Sequence, residues 1–221
     1  MVDPSSQAVW RPPGVHLTRI DADLVVLDVG RDRYHCLPGL ADQLVIAPDG
    51  RLDSPDPGLL AELIAAGLAV AVRPEPLPAA AVELGPLALR ETPPAPAPPR
   101  ADILRAGLAL AAATAAFRRR SLAQLIVHGA SARPVRPVDE ALVARLVGAA
   151  RIARPWIPFE GECLQRAFQL RWLLARWDVT VDWVFGVRTW PFGAHCWLQS
   201  GDLVIGDRLD RVRRYTPILR A

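Results

Sequence analysis

The chain has 221 residues, of which 51% are hydrophobic and 22% charged. This is enough apolar material for one large domain or two small ones, and it excludes global disorder. The formal net charge is +3, and no run of basic residues is longer than residues 118–120. A nucleic-acid binder usually concentrates its basic residues more than this, so we expect no nucleic-acid partner.

The number and spacing of the cysteines indicate the cellular compartment of the protein. Cys36, Cys163 and Cys196 are the only three and lie too far apart in sequence for a Cys-x-x-Cys pair. Their odd number, together with the absence of a signal-peptide pattern at the start, predicts a reducing, cytoplasmic location. The longest apolar run, residues 107–117, has 11 residues. A membrane-spanning helix needs about 20, so we expect no membrane span.

The N-terminal part predicts a small α+β domain. Three β-rich runs indicate an antiparallel sheet, and they cover residues 15–20, 24–28 and 34–37. Apolar residues at helical spacing indicate a helix over residues 38–46. A second helix is predicted over residues 58–66, with Asp56 as its N-cap and Pro57 at its first position. Residues 68–72 are expected to return as a short strand.

A change in composition marks a domain boundary. Residues 74–100 contain nine of the 22 prolines, and such a segment cannot hold a helix. It is typical of a semi-rigid linker. We therefore predict an N-terminal domain at residues 1–76, a proline-rich linker at 77–100 and a C-terminal domain at 101–221.

The C-terminal domain predicts helices first and antiparallel strands last, which is again an α+β order. The helices are expected at residues 101–120, 121–128, 138–153 and 161–177. The strands are expected at residues 179–187, 194–199 and 203–207.

One constellation in this domain can carry chemistry. Cys163 lies at the predicted start of a helix, where unpaired backbone N–H groups and the helix dipole favour a thiolate. A three-residue loop around Gly201 would place His195 directly opposite Asp207, with Cβ atoms about 4.5–5.5 Å apart. A two-residue turn would spoil that pairing. Cys163 as nucleophile, His195 as base and Asp207 as the group that orients the base form a thiol acyl-transfer triad.

Other uses of these residues are less favoured. A zinc site made of Cys163, His195 and Cys196 conflicts with strand geometry, because adjacent strand residues point to opposite faces. We therefore predict no metal and expect Cys196 to point away from the site. Trp190 precedes the predicted base and is a candidate for substrate contact. The glycines fit no phosphate-loop pattern, so no cofactor is expected.

The segments around the triad resemble the transglutaminase-like cysteine peptidases of lasso-peptide biosynthesis, the B proteins that remove a leader peptide. The resemblance spans residues 100–221 and is carried by CLQRAFQLRWLLARW, VTVDWVFGV, PFGAHCWL and GDLVIGD. It implies a transglutaminase/papain-like fold with Cys163 as nucleophile, His195 as general base and Asp207 as third member. Cys196 stands where that family commonly has alanine. No glutamine lies just upstream of Cys163 as an oxyanion donor, which leaves the Cys163 backbone N–H, with Trp156 as a candidate helper.

The N-terminal half resembles the small leader-recognition domain of many peptide-modifying systems, akin to the chaperone of pyrroloquinoline quinone synthesis. The segments DADLVVLDVGRDRYHCLPGLADQLV and LIAAGLAV carry this resemblance. It implies a winged-helix-like domain with a three-stranded sheet, whose edge binds a leader as an added strand, and a helix at residues 59–64 as the other wall. The candidate leader contacts are Arg33, Tyr34, His35, Cys36 and Leu37. Strand alternation lets only one pair, Tyr34 with Cys36 or His35 with Leu37, meet the peptide. Alternatively, these side chains belong to the domain core.

Together the two resemblances imply a fused leader-binding cysteine peptidase in the maturation of ribosomally made peptides. Its partners would be the precursor peptide and an asparagine-synthetase-like lasso cyclase that closes the macrolactam. It would need no cofactor of its own, although the family allows ATP dependence through that cyclase. Two alternatives stay open: a non-catalytic adapter that binds leader and cyclase, and a transglutaminase that transfers the acyl group to an amine.

Overall fold

The chain divides into two compact units. The computed structural model describes residues 8–75, 88–94, 96–127, 138–157 and 161–221. The first unit is Met1–Glu83 with Arg188–Phe192, and the second is Leu84–Val187 with Gly193–Ala221. Helices and strands occur in both, so the predicted α+β class is confirmed.

The first unit is built on two three-stranded antiparallel sheets. Its strands are β1 (Val9–Trp10), β2 (Val15–Ile20), β3 (Asp23–Asp28), β4 (Arg33–Leu37), β5 (Val45–Ile46) and β6 (Arg51–Asp53). One sheet has the order β2-β3-β4 and the other β1-β6-β5. The three predicted strands are therefore present as β2, β3 and β4, and every residue of the central strand β3 is buried.

The connection after β4 differs from the prediction. The expected helix over residues 38–46 is wrong, because only Ala41–Gln43 forms a 3-10 turn before β5 begins. The apolar residues there follow the two-residue period of a strand: Leu44 is fully buried and packs into the core, whereas Val45 is 54% exposed. The expected strand at residues 68–72 is reduced to a single bridge between Trp10 and Val70.

One α-helix is described in the first unit. This helix, α1 (Pro57–Ala65), begins as predicted, since Asp56 Oδ1 accepts a hydrogen bond from the Gly58 N–H at 2.8 Å. It packs Leu59 and Leu63 into the core shared with β2 and β3. The winged-helix-like arrangement of this unit stays a prediction.

His16 makes the stability of the first unit depend on pH. Its Nδ1 accepts a hydrogen bond from Arg11 at 3.1 Å. Burial and then the Arg11 charge lower the pKa of His16 to about 4. Between pH 6.5 and 4 the unfolded chain therefore binds a proton that the folded chain does not. As the pH is lowered through this range, the free energy of unfolding decreases by up to about 3 kcal/mol. In chemical denaturation, His16→Gln should lose this dependence, because the amide oxygen still accepts from Arg11 and does not titrate. Equal pH slopes in the two proteins would contradict this role of His16.

The second unit combines helices with one five-stranded sheet. Its elements are β7 (Arg90–Glu91), α2 (Arg100–Phe117), α3 (Leu122–Val127), α4 (Glu140–Ala153), α5 (Cys163–Ala175), β8 (Asp182–Arg188), β9 (Gly193–Ser200), β10 (Leu203–Ile205), α6 (Leu209–Val212) and β11 (Thr216–Arg220). The sheet has the order β11-β8-β9-β10-β7. Helix α5 contacts α2, α4 and β9, with Leu173 and Leu174 fully buried. A central helix is thus held against a central strand.

Three elements of this unit were not predicted. β7 lies inside the segment predicted as a linker, yet it pairs in parallel with β10 and so extends the sheet. α6 and β11 follow the last predicted strand, and β11 pairs antiparallel with β8 on the opposite side of the sheet. Within the part of the chain that is described, no helix combines the length and apolarity needed to cross a bilayer.

Candidate active site

Cys163 is the first residue of α5, as the sequence predicts. Its side chain is partly exposed, and the N-cap Glu162 makes no capping hydrogen bond with its side chain. As the first residue of the helix, Cys163 has a backbone N–H that makes no i→i−4 hydrogen bond within it. Cys163 opens into a cleft of about 450 Å³ whose lining residues are Gly161, Glu162, Cys163, Arg166, His195, Arg211 and Tyr215.

His195 and Asp207 meet beside Cys163. His195 lies on β9 and is 6% exposed, and its Nε2 is 2.6 Å from Asp207 Oδ2. The other carboxylate oxygen, Oδ1, accepts a hydrogen bond from the Arg208 N–H at 2.7 Å. Because Nε2 is engaged by Asp207, Nδ1 is the ring nitrogen left to hydrogen-bond the Cys163 thiol. The nucleophile, base and orienting carboxylate named from the sequence are thus brought together.

The register that led to this pairing is wrong. Ser200 pairs with Leu203, so the loop between β9 and β10 has two residues, and a continued ladder would place Asp207 opposite Cys196. The ladder ends at Ile205 instead, and Gly206 turns the chain with φ at +73°. A Cβ on Gly206 would lie 2.5 Å from Leu170 Cδ2. This tight turn, at a positive φ that glycine adopts without strain, redirects Asp207 to His195.

Cys163, His195 and Asp207 shift one another's pKa values in the directions that favour a thiolate–imidazolium ion pair. Hydrogen bonds from Cys196 and then His195 outweigh burial and lower the pKa of Cys163 to about 4. Burial alone would lower the pKa of His195, but its hydrogen bonds to Asp207 and Cys163 raise it to about 9. Asp207 has its pKa lowered, because the His195 bond and the Arg208 N–H outweigh burial. At neutral pH the site therefore holds a thiolate, an imidazolium and a carboxylate.

Cys196 lies at the nucleophile, contrary to the expectation from strand alternation. Both its thiol and its backbone N–H hydrogen-bond to Cys163. The side chain is 4% exposed, and its bond to Cys163 together with burial raises the pKa of Cys196 well above the usual value. Burial also raises the pKa of Cys36. Cys163 is therefore the one thiol of the three that is ionised at neutral pH.

Removing the Cys196 thiol should make Cys163 harder to ionise. In Cys196→Ala the thiolate loses a hydrogen-bond donor, so we expect the pKa of Cys163 to rise from about 4 toward that of a free thiol. The rate of iodoacetamide alkylation at pH 5 should fall several-fold, and the change should shrink at pH 8. Identical rate–pH profiles in the two proteins would rule out this contribution.

Two aromatic rings fix the plane of the His195 imidazole. The Trp197 ring stacks at 6.2 Å between centroids and the Tyr215 ring lies at 5.2 Å. Trp197 is itself held through its Nε1, which donates to Gln199 Oε1 at 2.9 Å. A Cβ on Gly186 would lie 2.7 Å from the Trp197 ring and 2.9 Å from Tyr215 Cβ, so both rings depend on glycine at that position of β8.

The structure narrows the candidates for an oxyanion donor. Trp156 is 84% exposed and is not among the residues that line the cleft. Gln165, a buried residue that sequence reasoning did not consider, lies against Gly161, where any Cβ would collide with its amide. The Cys163 backbone N–H at the helix start is therefore the remaining predicted donor.

Sequence reasoning also missed three residues that line the cleft, namely Arg166, Arg211 and Tyr215. Arg166 lies on α5 three residues after Cys163, a spacing that puts both on one helix face, and this signal was available in the sequence. Arg211 and Tyr215 lie in and just after α6, which was not predicted. Arg211 contributes to the lowered pKa of Asp207 through its charge.

The predicted leader contacts lie in the first unit. Arg33 is exposed, and Tyr34, His35, Cys36 and Leu37 are half-buried. β4 is an edge strand, and within the described residues no strand pairs with its outer side. Leu37 packs against the core, and Tyr34 lies 5.9 Å from the Phe192 ring. The side chains of β4 are thus partly engaged, and among the described residues β4 is the last strand of its sheet.

Trp190 contacts β3 and is not among the residues that line the cleft. It belongs to the first unit, where its Nε1 donates to Asp23 Oδ2 at 2.6 Å. Its side chain is 74% exposed. Among the described residues, no group of three or more His, Cys, Asp or Glu side chains is placed to hold a metal ion.

The chain was compared with known proteins. No curated protein and no solved structure matches it. Residues 106–220 match the transglutaminase-like superfamily, and this range contains Cys163, His195 and Asp207. Members of that superfamily are often cysteine peptidases or transferases, chemistry that needs such a triad. The chain belongs to the transglutaminase-like superfamily.

Proposed function

We propose that this protein binds the leader of a ribosomally made lasso precursor peptide and cleaves the leader from the core by thiol proteolysis. One observation supports the catalytic part of this proposal. Cys163, His195 and Asp207 lie together at an open cleft within a transglutaminase-like domain. The freed core would pass to an asparagine-synthetase-like cyclase that closes the macrolactam. Any ATP dependence would reside in that partner.

The chemistry follows from the ion pair. The Cys163 thiolate attacks the carbonyl carbon of the scissile peptide bond, and the Cys163 backbone N–H stabilises the oxyanion that forms. The protonated His195 donates its Nδ1 proton to the leaving amine, the C–N bond breaks, and a thioester remains. Water then attacks the thioester while His195 takes its proton, the C–S bond breaks, and the product acid is released with the thiolate–imidazolium pair restored. Asp207 holds the imidazole in place throughout.

Leader binding is proposed at the outer edge of β4, the terminal strand of its sheet. An edge strand presents a row of unpaired N–H and C=O groups, to which an extended peptide can add as a further strand. Backbone pairing needs no particular side-chain direction, so it is compatible with Leu37 packing inward. Arg33, which is exposed at the start of β4, is available to an acidic residue of the leader. The winged-helix-like character of this unit belongs to the same proposal.

Different observations bear on the two alternatives, the adapter and the transferase. A non-catalytic adapter would not need a cysteine whose pKa is lowered to about 4 beside an oriented histidine. Amine transfer uses the same thioester and is favoured by the superfamily name, so it is kept as the second candidate. The two reactions differ only in whether water or an amine attacks the thioester.

The test is mass spectrometry of the precursor peptide encoded beside this protein, incubated with the protein alone and with the cyclase. We expect a single cut between leader and core, with the mass of one water added across the two fragments. A product that has gained an amine instead would establish the transferase. An intact peptide under both conditions, despite measured leader binding, would favour the adapter.

A further inference from the structure

The short strand β7 occupies an unusual place in the second unit. It pairs in parallel with β10, the strand that leads into Gly206 and Asp207. Its backbone is held by two hydrogen bonds, from the Arg90 N–H to Asp202 O and from the Thr92 N–H to Val204 O, each 3.0 Å long. Thr92 Oγ1 also donates to Val204 O at 2.8 Å. The strand is therefore attached to β10 along its whole length.

The Arg90 side chain anchors β7 from one side. Its guanidinium makes two hydrogen bonds to the Glu140 carboxylate, of 2.6 and 2.7 Å, at the first turn of α4. Its Nε donates to Asp202 Oδ2 at 2.7 Å, in the turn between β9 and β10. These groups are exposed, so each pair adds little to overall stability. The neighbouring residue, Glu91, is positioned by the backbone pairing of β7 with β10, which does not depend on these ion pairs.

Glu91 supplies the cap that α6 lacks. Arg208, the N-cap residue of α6, makes no capping bond with its side chain. Glu91 Oε1 instead accepts a hydrogen bond from the Leu209 N–H at 2.6 Å. A carboxylate at a helix N-terminus satisfies an unpaired N–H group and interacts favourably with the helix dipole. The helix that follows Asp207 is thus held by a residue 118 positions earlier in the chain.

Asp207 lies between two of these restraints. On one side Gly206 ends the β10 strand that β7 extends. On the other side the Arg208 N–H, which donates to Asp207 Oδ1 at 2.7 Å, directly precedes the capped N–H of Leu209. If the cap were lost, the start of α6 would be free to move. The Arg208 N–H, which fixes the Asp207 carboxylate, would move with it.

We propose that Glu91 is a positioning residue of the active site, which holds Asp207 against His195 by capping α6 from strand β7. Glu91 does not line the cleft and touches no reacting atom. Its effect passes through the Arg208–Leu209 backbone to the orientation of the Asp207 carboxylate, and from there to His195. The proposal rests on the triad of the proposed function.

The test compares four variants of the full chain, namely Glu91→Ala, Glu91→Gln, Glu140→Ala and Asp207→Ala. The first readout needs no substrate: the rate of iodoacetamide alkylation of Cys163 as a function of pH. The second is the kcat and KM of precursor cleavage. Glu140→Ala is the matched control, because it removes an exposed carboxylate bound to Arg90 while leaving the bond from Glu91 to Leu209.

We expect Glu91→Ala to lower kcat roughly five-fold with KM unchanged, the size of a typical lost helix cap. Its alkylation profile should shift to higher pH, in the same direction as that of Asp207→Ala but by less. Glu91→Gln keeps an acceptor oxygen and should restore most of the wild-type behaviour, and Glu140→Ala should match the wild type.

Three results would overturn the proposal, and they are distinguishable. If Asp207→Ala shifts the profile but Glu91→Ala matches Glu140→Ala, only the role of Glu91 is wrong. If Asp207→Ala itself leaves the profile unchanged, the triad of the proposed function and the role of Glu91 fail together. Equal losses of kcat in Glu91→Ala and Glu91→Gln would also contradict a role that depends on the acceptor oxygen.

Discussion

Replacing Cys163 by alanine is expected to abolish precursor cleavage, with kcat reduced by at least about 10⁴-fold. The reason is that no other described thiol can replace it: Cys196 is buried and Cys36 lies in the first unit, and the pKa of each is raised. Alanine leaves the helix start and the cleft in place, so the change removes the nucleophile alone. Cleavage is followed by mass spectrometry of the peptide products over several hours.

Leader binding is the internal control for this variant. Because the proposed leader site is the edge of β4, Cys163→Ala should bind a labelled leader peptide with the affinity of the wild type, measured by fluorescence anisotropy. The thermal midpoint should be unchanged or slightly lower, because the fold stabilises the Cys163 thiolate and the variant loses that interaction. Trimmed core peptide from the alanine variant at a rate near that of the wild type would end the peptidase proposal.

Two residues of the triad, Cys163 and His195, could be predicted because each follows from a local pattern. Cys163 was assigned to a helix start from the proline- and glycine-containing segment before it, and that helix begins at Cys163. His195 was assigned to a strand from β-rich alternation, and β9 covers it. Such patterns depend on neighbours within a few residues, which is the range over which propensity and periodicity act.

The elements that complete the site could not be predicted in the same way. β7 has two residues in a proline-rich segment, and it forms a strand only because β10 offers an open edge far along the chain. α6 has four residues and no capping side chain of its own, so its start depends on Glu91. A helix this short has little intrinsic stability. These elements are set by tertiary contacts, and the sequence near them carries almost no signal.

Cys196 and the loop register show why a correct triad can follow from an incorrect intermediate step. Strand alternation predicts that the side chains of His195 and Cys196 point to opposite faces, but alternation alone does not say which groups a helix start approaches. Cys163 contacts both residues, since its sulfur is also bonded to the Cys196 backbone N–H. Likewise the two-residue loop should have separated His195 from Asp207, and the turn at Gly206 brings them together again. A tertiary contact between α5 and β9 decides the first outcome, and the turn at Gly206 decides the second.

Asp207 is expected to control both the rate and the pH range of the reaction. In Asp207→Asn the carboxylate charge is lost while size and one acceptor oxygen are kept, and we expect kcat to fall by about 10²–10⁴-fold, as for the equivalent change in other triads. The hydrogen bond to Asp207 is the main reason that the pKa of His195 is raised to about 9. Without it the pKa of His195 should fall toward its ordinary value near 6.5.

The sign of the pH effect follows from the ion pair. The wild type should be active between the Cys163 pKa of about 4 and the His195 pKa of about 9, because the imidazolium must be protonated to release the amine. In Asp207→Asn the alkaline limb of the kcat/KM profile should therefore move to lower pH by one unit or more. Asp139→Asn makes the same chemical change at the exposed N-cap of α4, where asparagine also caps well, and should leave both limbs in place. An Asp207→Asn enzyme with the wild-type alkaline limb would mean that the carboxylate does not hold the imidazolium, and the catalytic assignment of Asp207 would be wrong.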